Sequence, residues 1–141
     1  MRQIEAALAQ KGSYISKTAG DSMRPLFKEG RDLVYVESLA HYNKALRVGD
    51  VILFKREDQT YVLHRIVKIS GTQILECGDN RRYATWLTPQ QVLGVMTRFN
   101  RKNQEYSIDD WRYRWYRSYK IITLNLKLQL YTVARKLLNR K

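Results

Sequence analysis

A serine and a histidine of this chain stand in surroundings suited to nucleophilic catalysis. Ser22 lies in Gly20-Asp21-Ser22-Met23-Arg24-Pro25, and His64 follows 42 residues later in Val62-Leu63-His64-Arg65-Ile66-Val67. A serine hydroxyl is a poor nucleophile until a base within hydrogen-bond reach removes its proton, so the chemistry needs both groups together in the fold. Pro25 fixes its own φ and biases Arg24 away from helix, which predicts a rigid, irregular loop around Ser22. On such a loop the Ser22 N–H is the expected donor to the oxyanion of a tetrahedral intermediate. Gly-Asp-Ser is equally the composition of an ordinary polar turn.

His64 falls inside an apolar run, Tyr61 to Ile69, where strand alternation sets Val62, His64 and Ile66 on one face and Leu63, Arg65 and Val67 on the other. Imidazole titrates near neutrality, which suits a base at physiological pH, although many strand histidines are simply packed and hydrogen-bonded. His41, the other histidine, lies in the polar stretch Ser38 to Lys44 and reads as surface. A third group, Asp79, sits in the turn Glu76-Cys77-Gly78-Asp79-Asn80. It could accept a hydrogen bond from His64 and hold its tautomer, or bond its own backbone as a turn aspartate.

The elements that must position these groups are mostly strands. Residues 2 to 11 read as a short helix ended by Gly12. Ser13 to Lys17, Asp32 to Glu37, Asp50 to Lys55, Tyr61 to Ile69, Gln73 to Glu76 and Val92 to Phe99 read as strands, separated by charged or glycine-containing breaks. The spacing predicts an N-terminal helix over 1–12, a small, mainly β, antiparallel domain over 13–99 and a basic, aromatic, helical extension over 100–141. Ser107 is the expected cap of the long helix, with Asp109 and Asp110 in its first turn. From Ile121 onward, Ile122, Leu124, Leu126, Leu128 and Leu130 alternate like a strand, while Ile121, Leu124, Leu128, Tyr131, Ala134 and Leu138 recur at helical spacing. The Lys, Arg, Leu and Gln content favours helix.

Composition narrows the function. At 141 residues and 44% hydrophobic the chain suits one folded domain plus a tail. The single Cys77 excludes an internal disulfide and a cysteine-based zinc site, and neither a metal nor a cofactor is expected. No signal peptide or spanning segment is visible. Ile121 to Ala134, the longest greasy stretch, is broken by Asn125, Lys127 and Gln129, so a cytoplasmic or peripheral-membrane setting is expected. The formal charge is +13, and its excess is C-terminal: residues 98–141 hold 12 Lys/Arg against 3 Asp/Glu. Such a segment is drawn to polyanions or anionic lipid.

In order and spacing, four elements resemble the serine peptidase superfamily that contains signal peptidase I and the LexA-type self-cleaving repressors. They are Ser22-Met23-Arg24-Pro25, Gly49-Asp50-Val51-Ile52-Leu53-Phe54, His64-Arg65-Ile66-Val67 and Gly78-Asp79-Asn80, within roughly residues 13–99. The resemblance implies a coiled, mostly β fold. Bacterial signal peptidase I and the repressors use a lysine base, whereas the endoplasmic-reticulum type has histidine in His-Arg-Val, so His64-Arg65-Ile66 looks like the Ser/His subtype, as in a small soluble bacterial peptidase-like set. It implies a serine endopeptidase that removes a leader or signal-like segment from a peptide or protein substrate, with Ser22 attacking and His64 as base. The endoplasmic-reticulum type carries a further acidic pair where this chain has Ala84 and Thr85, leaving Asp79 as triad carboxylate or a Ser/His dyad. Where bacterial enzymes place a second oxyanion hydroxyl this chain has Gly20, so Thr18 or a backbone N–H must substitute.

The other reading is a binding module with little or no turnover, docked through its basic helix. Trp111, Tyr113, Trp115, Tyr116 and Tyr119 interleave with Arg112, Arg114, Arg117 and Lys120, which suits a helix at an anionic membrane surface over residues 108–141, or one packed on the β domain with solvated cations. No helix-turn-helix precedes the β domain, so specific nucleic-acid binding is not expected.

Overall fold

The computed structural model describes residues 3–140; Met1, Arg2 and Lys141, at the ends of the first and last predicted elements, lie outside the described residues. Helix α1 (Gln3–Lys11) ends at Gly12, whose φ of 74° continues the chain into β1 (Ser13–Lys17). Then come β2 (Leu33–Ser38), the one-turn α2 (Leu39–Tyr42), β3 (Val51–Lys55), β4 (Tyr61–Ser70), β5 (Gln73–Cys77), β6 (Thr85–Leu87), β7 (Val92–Arg101), β8 (Gln104–Ser107) and α3 (Trp111–Leu138). His41 lies on α2 and is exposed, as its polar setting predicts.

The strands form one eight-stranded sheet in the order β1-β2-β7-β3-β4-β5-β6, antiparallel at every pairing, with β8 also on β7. The protein is therefore mainly β, with a short N-terminal and a long C-terminal helix. Strand β7 organises it. One edge pairs along β2, while the other is shared, first by β3 at residues 92–95 and then by β8 at residues 98–101.

The boundary expected at residue 99 falls inside this strand. Lys102 and Asn103 take φ of 52° and 64°, the left-handed pair of a two-residue hairpin, and return the chain as β8. Ser107 is accordingly the last strand residue, and Asp110 caps α3 by accepting from the Arg112 N–H at 2.9 Å. Residues 121–138 are helical throughout. Leu124 is fully buried beside Val67 and Cys77, so the apolar face of a helix wins over the alternating pattern.

One core cluster joins Met23, Leu26 and Phe27 to Val34, Val36, Leu53, Met96 and Phe99. A second, containing Ile52, Phe54, Ile66, Ile74 and Val95, lies against α2 through Tyr42. Helix α3 seats where Gly49 has no side chain. With φ of 100° already demanding glycine, a Cβ there would also lie 2.8 Å from the Ile121 side chain.

Candidate active site

Packing fixes the Ser22 loop from within. Met23, Leu26 and Phe27 are buried in the first core cluster, and Ser22 remains half-buried at the surface. The N–H groups of Arg24 and Phe27 close turns onto the Asp21 and Met23 carbonyls, and the Arg24–Pro25 bond is cis. The loop is therefore irregular, as Pro25 predicts.

A second segment, residues 78–81, clasps the loop from the side. The Asn80 N–H donates to the Ser22 carbonyl at 2.8 Å, and the Asn80 amide donates to the Asp21 carbonyl at 3.2 Å. Arg81 donates to the Asp21 carboxylate at 2.8 Å, and this hydrogen bond holds that carboxyl below its ordinary range. Gly78 makes the approach sterically feasible. A Cβ there would lie 2.7 Å from the Ser22 carbonyl oxygen and 3.0 Å from His64 Nε2, so the serine backbone, the imidazole and the 78–81 turn converge at this glycine.

His64 comes from β4, opposite Ile52, and is 6% exposed with its ring in a T-shaped contact with Phe54. Ser22 and His64 line one cleft of about 360 Å³, together with Thr18 to Gly20 and apolar residues including Phe27, Val36 and Leu53. Ser22 Oγ and His64 are not hydrogen-bonded to each other.

The carboxylate on His64 is Glu76. Its Oε2 lies 2.5 Å from His64 Nδ1, both groups are buried, and the Thr85 hydroxyl donates to its other oxygen. With Glu76 as acceptor, Nδ1 is the donating nitrogen, and in that neutral tautomer the lone pair lies on Nε2, the nitrogen beside Gly78. Asp79, the carboxylate expected from the turn motif, is elsewhere. It receives Arg65 through Nε at 2.7 Å and Nη2 at 2.9 Å, and the Tyr116 hydroxyl at 2.7 Å. The cause lies in the register of β4 and β5, which sets Ile66 opposite Glu76 and Arg65 opposite Cys77. The Thr18 hydroxyl donates to the Lys28 carbonyl at 2.9 Å, inside the loop that Asp32 braces.

Arg65 links the remaining motifs. Fully buried, it also donates to the Gly49 carbonyl at 2.8 Å and to the Tyr113 hydroxyl at 3.1 Å. The Gly49 carbonyl, Arg65, Tyr113 and Asp79 are thus one buried network, and its ion pair is bidentate. Helix α3 closes it: Tyr116 reaches the Asp79 carboxylate, and Lys120 Nζ donates to the Asp79 carbonyl at 3.2 Å. Burial, then the Asp79 charge, raise the Tyr116 phenol above its ordinary range, so it stays a donor.

Burial also pushes the Cys77 thiol up to about 12, which keeps it protonated near neutrality. Among the described residues, no group of three or more His, Cys, Asp and Glu is arranged to hold a metal ion, and no helix is long and apolar enough to cross a membrane.

No protein-family model matches the chain. Signal peptidase I V of Bacillus subtilis is 34% identical over 58 residues, a stretch that is 41% of this chain and 34% of that protein. The match therefore spans about a third of the relative's length, and a signal-peptidase-like relationship is what it supports.

Proposed function

We propose that this protein is a serine endopeptidase of the signal-peptidase type, of the Ser/His subtype, that cuts a leader or signal-like segment from a peptide substrate. The reading rests above all on one observation: Ser22 and His64 line the same cleft, with the far nitrogen of the imidazole held on a buried carboxylate. In this scheme His64 Nε2 takes the Ser22 hydroxyl proton as Oγ adds to the scissile carbonyl. The imidazolium so formed is balanced by Glu76. The same proton then passes to the leaving amine, and an acyl-Ser22 ester remains. Water, deprotonated by His64, attacks that ester and frees the enzyme. The Ser22 N–H is the assigned oxyanion donor, since the Thr18 hydroxyl is engaged elsewhere.

The experiment is cleavage of a diverse peptide library by the full chain, with products read by mass spectrometry. Wild type should give products sharing a cleavage preference, and Ser22→Ala, with an unchanged circular dichroism spectrum, should give none. Equal cleavage by Ser22→Ala would overturn the reading.

A further inference from the structure

Helix α3 carries two apolar faces. One is buried on the β domain through Tyr113, Leu124 and the aliphatic stem of Lys120. The other is exposed along the whole helix, from Trp111 through Trp115, Tyr119, Ile122 and Leu126, and onward as Leu130, Val133 and Leu137. At 100° per residue these positions fall within a single stripe on the side of the helix away from Tyr113 and Leu124. Trp115 is 75% exposed and Leu130 69%, so the stripe is not an extension of the core.

We propose that this stripe lies in the surface of an anionic lipid bilayer, with α3 parallel to the membrane plane. Two observations choose that occupant over a second copy of the chain. First, the stripe advances in steps of four, four and three residues, an 11-residue repeat that leaves two copies only a right-handed pairing, which the charges of the helix oppose. A left-handed coiled-coil seam requires a 3.5-residue repeat. Second, residues 111–140 contain eight Lys/Arg and no Asp/Glu, so two such helices face to face would repel without an acid to pair. Toward an anionic surface the same charges attract. Arg114 and Lys136 flank the stripe on one side and Lys127 on the other, where long stems reach headgroups while the apolar side chains sink. Nucleic acid would satisfy the charge and leave the apolar stripe in water.

The test is flotation of the full chain with vesicles of phosphatidylglycerol and phosphatidylcholine, or of phosphatidylcholine alone. Wild type should float with the anionic vesicles at least about tenfold more tightly than with the neutral ones, and its tryptophan emission should shift to the blue. The triple variant Leu126→Gln, Leu130→Gln, Val133→Gln keeps the net charge and changes only exposed side chains. It should bind anionic vesicles about tenfold more weakly or worse, with the same urea unfolding midpoint as wild type. The proposal is overturned by no flotation, or by undiminished flotation of the triple variant. Wild type that dimerises in sedimentation equilibrium, or binds duplex DNA, in a manner that the triple variant abolishes would also overturn it.

Discussion

Exchanging the two carboxylates of the site separates orientation from stability. Asp79→Asn removes the charge from a pair whose side chains are wholly buried. The new amide can accept from only one arm of the Arg65 fork and turns its N–H₂ toward the other. Breaking a buried pair by neutralising one partner costs about 3–5 kcal/mol, a large share of the about 5–15 kcal/mol of a typical domain. With a urea slope of about 2 kcal/mol per molar, the midpoint should fall by roughly 2 M. Glu76→Gln is a different perturbation. Its amide oxygen can still accept from His64 Nδ1 and the loss is about 1–2 kcal/mol, but the charge that would balance an imidazolium is gone. On the proposed mechanism, acylation of Ser22 should slow by about 10²–10⁴-fold. Urea unfolding followed by tryptophan emission, and the rate of fluorophosphonate labelling, read the two effects separately. Should Glu76→Gln label at the wild-type rate while a folded Asp79→Asn does not label, Asp79 rather than Glu76 would be the orienting group and the reasoning would fail.

Other perturbations follow from the same contacts. Gly78→Ala must displace either the Ser22 carbonyl, 2.7 Å from the new Cβ, or His64 Nε2, 3.0 Å away, by several tenths of an ångström. A misplacement of about 1 Å costs about 10²-fold in rate, so this smaller shift should slow fluorophosphonate labelling by up to about that factor; an unchanged rate would contradict the convergence at Gly78. Tyr116→Phe removes the hydroxyl that reaches Asp79 at 2.7 Å and should lower stability by about 1–2 kcal/mol in urea titration, whereas an unaltered midpoint would deny α3 its bracing role. Cys77, with its thiol pushed from 9.0 to about 12 by burial, should resist thiol reagents in the native state and react at once in denaturant. The unfolded thiol loses its proton first, so this group's contribution to stability falls as pH rises between 9.0 and about 12, and Cys77→Ala should remove that part of the alkaline slope.

Much of the sheet was legible because its strands carry dense Val, Ile, Leu and Tyr between glycine breaks, and each strand from β1 to β5 was expected within a residue or so of its position. The short strands β6 and β8 were not. Thr85–Leu87 offers only three residues, and β8 follows a Lys-Asn turn whose positive φ values no glycine announces. The misassigned carboxylate has a sharper cause. The β4–β5 hairpin begins with Ser70 opposite Gln73, Ile69 opposite Ile74 and Lys68 opposite Leu75, and continued without interruption that register sets His64 opposite Asp79. A bulge at Val67 shifts the pairing by one residue, so that Ile66 meets Glu76 and Arg65 meets Cys77. Glu76 then shares the His64 face, and Asp79 follows Cys77 to the Arg65 face. Nothing in Ile66-Val67-Lys68 marks a bulge, whereas the buried pairing of an arginine with an aspartate, once formed, reinforces it.

The central claim is that Ser22 is the nucleophile and His64 its base, and the most direct test is to map the adduct formed by a fluorophosphonate. Intact mass and peptide mapping should show one adduct, on Ser22, absent from Ser22→Ala and formed at least about 10²-fold more slowly by His64→Ala. An adduct on another residue, no adduct on the folded wild type, or a rate indifferent to His64 would contradict it.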